Sequence, residues 1–482
     1  MKIQSSISTI NYSKSSTSVS EFKEFDFNSS QSSLFIKKNP FNLSELHQVV
    51  SAELIDVVYA MKNSQLAFQE WKVSSIIDRI NLLNKIKNYI SDHSNEIALH
   101  EALDQGLPYQ FVYDYSVIST LNTINRIIDE LELALQKAVH SSKKYEPVGV
   151  VSIIASWNLS FRVVAERLFT ALAAGNTAIV KVSSMSPITA SILNKMISAV
   201  GLHGLVQVIV SNKKEVTELL VSHPIVKAIS FCGEPKNAVA VIQNLAQQSH
   251  LYFKKIQISS GSKNSAVVLQ DVNDEIFQKV IESFLIGQGQ LAWNSARLFI
   301  LEKNENEWQQ RLQNYLAELK PSESIEDKSL WTPCLKKSSF ESFEDLSRQA
   351  KEDQARLIKT QHHLSHSEAA CYLPITFTQD MSKCSTLQQD QVLAPLFILS
   401  SVKYAFDIPK NSNVSYFGHS AHLWGDVDKL SKISEQLDVG QVCHNKWSVQ
   451  ISENFQSVKQ SGFGLQDYSV FGAFYSNVKI LS

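Results

Sequence analysis

The chain has 482 residues, too many for one compact core, so two or three domains are expected. Hydrophobic residues make up 44% and charged residues 19%, a globular composition that excludes a disordered or fibrous protein. A net charge of −2 supplies no basic field for nucleic acid or an anionic membrane, which leaves small molecules and proteins as the expected partners.

Residues 1–40 are about one-third serine, a composition that buries too little surface to offset its ordering entropy, and they read as a flexible N-terminal arm. From Leu43, apolar residues recur every three or four positions through SELHQVVSAELIDVVYAMKNSQLAFQEW and DRINLLNKIKNYISDHSNEIALHEAL, which predicts amphipathic helices. The second stretch closes at Asp104-Gln105-Gly106-Leu107-Pro108, where Gly106 suits a left-handed cap and Pro108 blocks continuation. A third helix is predicted over about 114–140, followed by the polar link HSSKKYEP.

Four short apolar runs follow: GVVSIIA (149–155), NTAIVKV (176–182), LVQVIV (205–210) and VKAISF (226–231). Turn residues bound them and helical segments separate them, the pattern of buried parallel strands in a doubly wound α/β domain. The theme repeats in a second domain, with QISSGSKNSAVVL, a long helix from Asp274, the strand RLFIL (297–301) and a charged helix at 306–319. Residues 321–370 carry little pattern beyond a helix around 340–356, and PLFILSSV (395–402) reads as a strand. The terminal SVKQSGFGLQDYSVFGAFYSNVKILS ends in alternating Tyr, Val and Ile, suited to an edge strand that pairs with another subunit.

Cys232, Cys334, Cys371, Cys384 and Cys443 show no CxxC or paired-histidine spacing, which argues against a zinc site or disulfide framework and for reduced cytoplasm. No apolar run reaches membrane-spanning length, and the N-terminus lacks the pattern of a signal peptide, so a membrane location and export are not expected.

Several segments, in order from about Trp71 to the end, resemble the aldehyde dehydrogenase superfamily. YEPVGVVSIIASWN (145–158), ALAAGNTAIVKVSS (171–184), VSHPIVKAISFCG (221–233), GSK (261–263), GQGQLAWNSAR (287–297) and SGFGLQDYSVFGAFYSNVK correspond to the family's EPxGVVxxIxPWN, ALAAGNxVVxKPSE, SHPxVxxIxFTGS, LELGGK, NxGQxCxAxxR and closing SGxGRExGxxGLxxYxxxK. The resemblance implies a Rossmann-type NAD(P)-binding domain over 41–132 and 148–258, a catalytic-type α/β domain over 259–448, and an oligomerisation element from 133–147 and 449–482. It also implies aldehyde oxidation, in which a cysteine thiolate attacks the carbonyl, an amide and a backbone N–H hold the oxyanion, hydride leaves to nicotinamide, and a glutamate activates water.

On that pattern Ala292 occupies the nucleophile position and Ser259 the base position, and neither a methyl group nor a serine hydroxyl can do the work of a thiolate or a glutamate. Leu291 and Trp293 offer no substitute, Trp293 partly fills the substrate approach, and Ser295 would need its own base. Asn158 keeps the oxyanion amide, or simply bonds backbone in its turn. For the cofactor, Trp157, Lys181 and Gly233 are retained. The ribose carboxylates have become Ser184, which would admit a 2′-phosphate, and Gln391, a weaker acceptor. Glu234 puts a carboxylate at the helix start that normally receives pyrophosphate, either repelling a cofactor or facing solvent, with Pro235 suited to the first turn.

Cys232 reads as a small buried filler, Cys443 beside His444 as packing, and His362, His363 and His366 as surface residues rather than metal ligands. The expectation is a pseudoenzyme with a binding or assembly role, NAD or NADP held weakly or not at all, and no metal. The alternatives are an NAD(P)-dependent oxidoreductase using a non-cysteine mechanism and a purely structural subunit. The link before YEPVGV is short beside the arm that many family members use for tetramers, which points to a homodimer, or to a hetero-oligomer with another enzyme.

Overall fold

The computed structural model describes residues 8–10, 34–137, 143–247, 253–335, 337–352, 354–365, 368–379, 385–447, 455–466 and 468–480. The four apolar runs form the parallel strands Val150–Ile154, Thr177–Val182, Val206–Val210 and Val226–Gly233, joined by Lys255–Ser260. Val150–Ile154 is buried at every position, because helices cover both faces of the sheet and leave no solvent side to favour alternation. In spatial order the strands run Gly462–Gly464, Lys255–Ser260, Val226–Gly233, Val150–Ile154, Thr177–Val182 and Val206–Val210, the first antiparallel to its neighbour. The chain therefore builds outward from Val150–Ile154 in one direction and then returns to build in the other. That reversal makes the carboxyl end of the strand a topological switch point, where open α/β sheets form crevices.

The second domain is a seven-stranded sheet in the order Arg356–Lys359, Thr376–Gln379, Leu396–Val402, Ser295–Leu301, Asn264–Val268, Ser420–Trp424 and Gln441–His444. It is parallel except for Arg356–Lys359. The expected doubly wound α/β fold with a second α/β domain is thus the fold observed. The helices expected at 306–319 and around 340–356 are Glu305–Glu318 and Lys337–Glu352.

The N-terminal region differs from the sequence reading. The run from Leu43 is helical only from Leu54–Trp71, while Glu45–Val50 is a strand, antiparallel to Leu34–Lys38 and parallel to Ser8–Ile10. A capping box sets the boundary: the Asp56 carboxylate accepts from the Glu53 backbone N–H at 2.8 Å, ending the extended segment and starting the helix. Part of the supposed arm is accordingly ordered structure. Lys37 is buried, donating to the Met185 carbonyl at 2.5 Å and facing the Asp104 carboxylate at 3.4 Å. Apart from Ser8–Ile10, residues 1–33 of the arm lie outside the described residues.

The long helical stretch divides into Ile76–Asp92 and Ser94–Gln105, and Gly106 ends the latter in the left-handed conformation, as its sequence predicts. The third helix is a π-helical turn, Tyr113–Ile118, leading into Ser119–Lys137. The polar link contains a strand, Lys143–Pro147, paired antiparallel with the terminal strand Ser476–Ile480. The terminal strand expected to seek another subunit therefore finds this partner in its own chain.

Candidate active site

A cavity of about 560 Å³ opens at the switch point, within the range of small-molecule sites. Its wall is made from strand ends and the turns that follow them: Ile154 to Asn158, Lys181 and Ser183 to Met185, and Phe231 to Glu234. The nine positions singled out from sequence, Trp157, Asn158, Lys181, Ser184, Gly233, Glu234, Ser259, Ala292 and Gln391, all line it. Residues from across the chain thus converge on one place.

The turn carrying Ala292 is rigid. Gly287, Gln288 and Gly289 have φ of 70°, 57° and 68°, a left-handed run that the two glycines adopt freely and that Gln288, a non-glycine residue, adopts between them. A Cβ on Gly289 would lie 2.9 Å from the Ala394 carbonyl oxygen. Beyond the turn, Asn294 accepts from the Leu291 N–H at 2.8 Å and donates to the Ile286 and Ser283 carbonyls, while Asn264 donates to the Ala292 carbonyl at 2.9 Å. These bonds fix a backbone whose central side chain is a methyl group.

Around it, Trp293 is buried beneath the Arg162 guanidinium, 5.1 Å from the ring centroid, and meets His419 edge-on. Trp293 also lines the cavity. Burial lowers the pKa of His419 to about 4, so its imidazole is neutral near pH 7. Asn158 donates to the Gln290 carbonyl at 3.1 Å and accepts from the Ser156 hydroxyl at 2.8 Å. One of its two amide protons is thus engaged by backbone. Ser259 Oγ lies 3.5 Å from the Tyr468 hydroxyl, with no carboxylate or imidazole among its hydrogen-bond partners in the described residues.

Toward the other end of the cavity, burial lowers the pKa of Lys181 to about 8. Glu234 is the N-cap residue of the helix Pro235–Ala246, with Pro235 at the helix start as expected. Its side chain is one-fifth exposed and 3.9 Å from Lys236. It therefore faces the cavity wall rather than bulk solvent alone, placing negative charge where the helix dipole would favour an incoming anion.

Several features escaped the sequence reading. Cys232 is not a buried filler: it is half-buried and lines the cavity, because Val226–Gly233 runs on into the crevice. Arg167 and Glu166 also line it, and Arg167 donates to the Tyr468 hydroxyl at 3.3 Å. Phe455 adds to the wall from a segment assigned only to assembly. Nothing in the local pattern of these residues announces them, since their meeting depends on tertiary pairing.

Ser295 does have a histidine neighbour, His422 Nδ1 at 3.2 Å, but both are fully buried away from the cavity. Cys443 is buried while His444 bonds Ser434 at 2.7 Å, so the adjacent pair does not act as a unit. His362 faces Glu368 at 3.9 Å, and His366 lies outside the described residues. Among the described residues, no three or more His, Cys, Asp or Glu are grouped to hold a metal, and no helix is long and apolar enough to cross a membrane.

The chain is similar to 2-aminomuconic semialdehyde dehydrogenase of Mus musculus, 24% identical over 447 residues that cover 89% of this chain and 90% of that protein. It is similar to aminoacetaldehyde dehydrogenase of Pseudomonas aeruginosa, 25% identical over 451 residues, covering 91% and 89%. Among solved structures, the NAD+ complex of an aldehyde dehydrogenase from Bacillus cereus superposes with a TM-score of 0.84 at 21% identity, covering 93% of this chain and 92% of that one. Betaine aldehyde dehydrogenase from Staphylococcus aureus, in complex with NAD+, gives 0.84 at 19% identity, covering 93% and 90%. The sequence profile of the aldehyde dehydrogenase family matches residues 27–481, and the chain belongs to that family.

Proposed function

We propose that this chain is an aldehyde dehydrogenase-family protein that has lost thiol-based aldehyde oxidation and serves a binding or assembly role. The observation that carries this reading is Ala292, a methyl group held on a rigid turn in the cavity wall. A retained mechanism would need a group there that ionises, attacks and leaves again. Ser259, at the position matched to the base, supports the same reading, since its hydroxyl contacts another hydroxyl rather than a basic group.

The cofactor fit divides by property. The crevice position and the retained Trp157, Lys181 and Gly233 suit a dinucleotide. Charge does not: Glu234 caps the helix, and neither Ser184 nor Gln391 supplies a carboxylate for a ribose. In this reading NAD and NADP bind weakly or not at all, and no reaction step passes through them. Assembly through a homodimer or a heteromer would use the Lys143–Pro147 and Ser476–Ile480 sheet, where Tyr145, Val478 and Ile480 are exposed. A second reading, an NAD(P)-dependent oxidoreductase acting on an aldehyde without cysteine, is favoured by the retained Lys181 and by the room Ser184 leaves for a 2′-phosphate.

The test is a single-turnover assay with the full chain at stoichiometric concentration, NAD+ or NADP+, and a panel of aliphatic and aromatic aldehydes. The expected result is no reduced nucleotide above the protein-free blank. Formation of one equivalent would overturn the proposal.

A further inference from the structure

Two of the segments matched to the family, GSK (261–263) and GQGQLAWNSAR (287–297), end in basic residues that do not line the cavity. Lys263 immediately precedes the strand Asn264–Val268, and Arg297 lies on the neighbouring parallel strand Ser295–Leu301, in register with Ser265. Each is only 2% exposed. Arg297 Nη2 donates to the Lys263 carbonyl at 2.8 Å and to the Ser265 hydroxyl at 3.1 Å. Its Nη1 reaches the Gln388 and Asn411 carbonyls at only 3.4 and 3.5 Å. Arg297 Nε has no hydrogen-bond partner, and neither has Lys263 Nζ.

Charge is as poorly matched as hydrogen bonding. Among the described residues, neither cation is in an ion pair; the Asp390 carboxylate favours the charged form of Lys263 without contacting it. Burial, with the Arg297 charge acting in the same direction, lowers the pKa of Lys263 to about 7, and burial lowers that of Arg297 to about 9. Two neighbouring buried cations without a counter-charge are costly, and orphaned buried donors in a native fold call for a bound water or ion. A water would satisfy N–H groups but leave the charge. A small anion would answer both needs.

The pair also has a defined place behind the cavity. Lys263 directly follows Ser259, Ser260 and Gly261 of the cavity wall, while the Gln388 carbonyl that Arg297 holds lies three residues before Gln391 of the same wall. We propose that Lys263 and Arg297 hold a small monovalent anion of the chloride class between Lys263 Nζ and Arg297 Nε, a structural ion that braces the wall segments carrying Ser259 and Gln391. Both donors are sealed from solvent, so a large organic anion cannot substitute. The proposal is independent of whether the cavity binds nucleotide.

The test is urea denaturation of the full-length chain in sodium chloride or sodium gluconate at equal ionic strength, with Lys263→Met as the variant. In the unaltered chain, each tenfold rise in chloride above its dissociation constant should multiply the apparent folding constant about tenfold, whereas gluconate should not. Lys263→Met should lose the chloride dependence. Crystals of the unaltered chain grown in bromide should show an anomalous peak within hydrogen-bond distance of Lys263 Nζ and Arg297 Nε. If the variant fails to fold, the chloride dependence and the bromide map of the unaltered chain decide together. Equal effects of chloride and gluconate, an unchanged chloride dependence in Lys263→Met, or a water without anomalous signal at the site would each overturn the proposal. A bromide peak without any effect of chloride in solution would mark an adventitious ion only, and would overturn it too.

Discussion

At the scale of single residues, the cavity was largely legible in the sequence. The nine positions found by motif all line it, because the strand-end turns that carry them are short and fixed in spacing. Cys232, Arg167 and Tyr468 were not legible: they are brought together by strand register and by a C-terminal segment distant in sequence. The residue most open to test is Glu234. As N-cap of Pro235–Ala246 it sets a carboxylate against the end of a helix dipole, so neutralising it should make the cavity more receptive to a dinucleotide phosphate. Glu234→Gln is expected to tighten NAD+ binding by about tenfold, or about 1.4 kcal/mol, in calorimetric titration. An unchanged affinity would place the carboxylate's effect elsewhere.

At the scale of elements, the helices and buried strands followed their periodicity, but the strand Glu45–Val50 did not. Its LHQVV segment can be counted as a helical face or a strand alternation, and the capping box at Glu53 and Asp56 decides between them. Another element-level device supports the cavity from behind. The helix Ser160–Ala173 follows Leu159, which is in the left-handed conformation, and its N-terminal N–H groups are held by Ser94–Gln105. Glu101 accepts from the Phe161 N–H at 2.9 Å and Gln105 accepts from the Leu159 N–H at 2.8 Å. Burial raises the Glu101 pKa from 4.5 to about 7, outweighing its hydrogen bonds to Ser116, Phe161 and Gln105. The folded state therefore holds a proton that the unfolded chain releases at lower pH. The associated stability is complete below the unfolded pKa of 4.5 and is lost as pH rises through about 7. Relative to Glu101→Gln, the unaltered chain should lose about 3 kcal/mol of unfolding free energy between pH 4 and pH 8, read by urea denaturation. Parallel pH profiles for the two proteins would contradict this assignment.

At the scale of the whole molecule, the chain keeps the fold of its family and the crevice that the fold creates, and the proposed function is that this crevice no longer carries the family's reaction. The fold is specified by many buried positions, such as the uninterrupted Val150–Ile154, whereas a reaction depends on a few side chains that can be replaced without disturbing the core. A negative turnover assay depends on choosing the right aldehyde, but nucleotide binding does not, and every oxidoreductase reading requires it. The decisive measurement is calorimetric titration of the folded chain with NAD+ and NADP+ at millimolar concentration, alongside a thermal melt. The account predicts no binding tighter than about 100 μM, the equivalent of roughly 5.5 kcal/mol, with a cooperative unfolding transition. Tighter binding of either nucleotide would contradict it and point to an oxidoreductase that works without the cysteine.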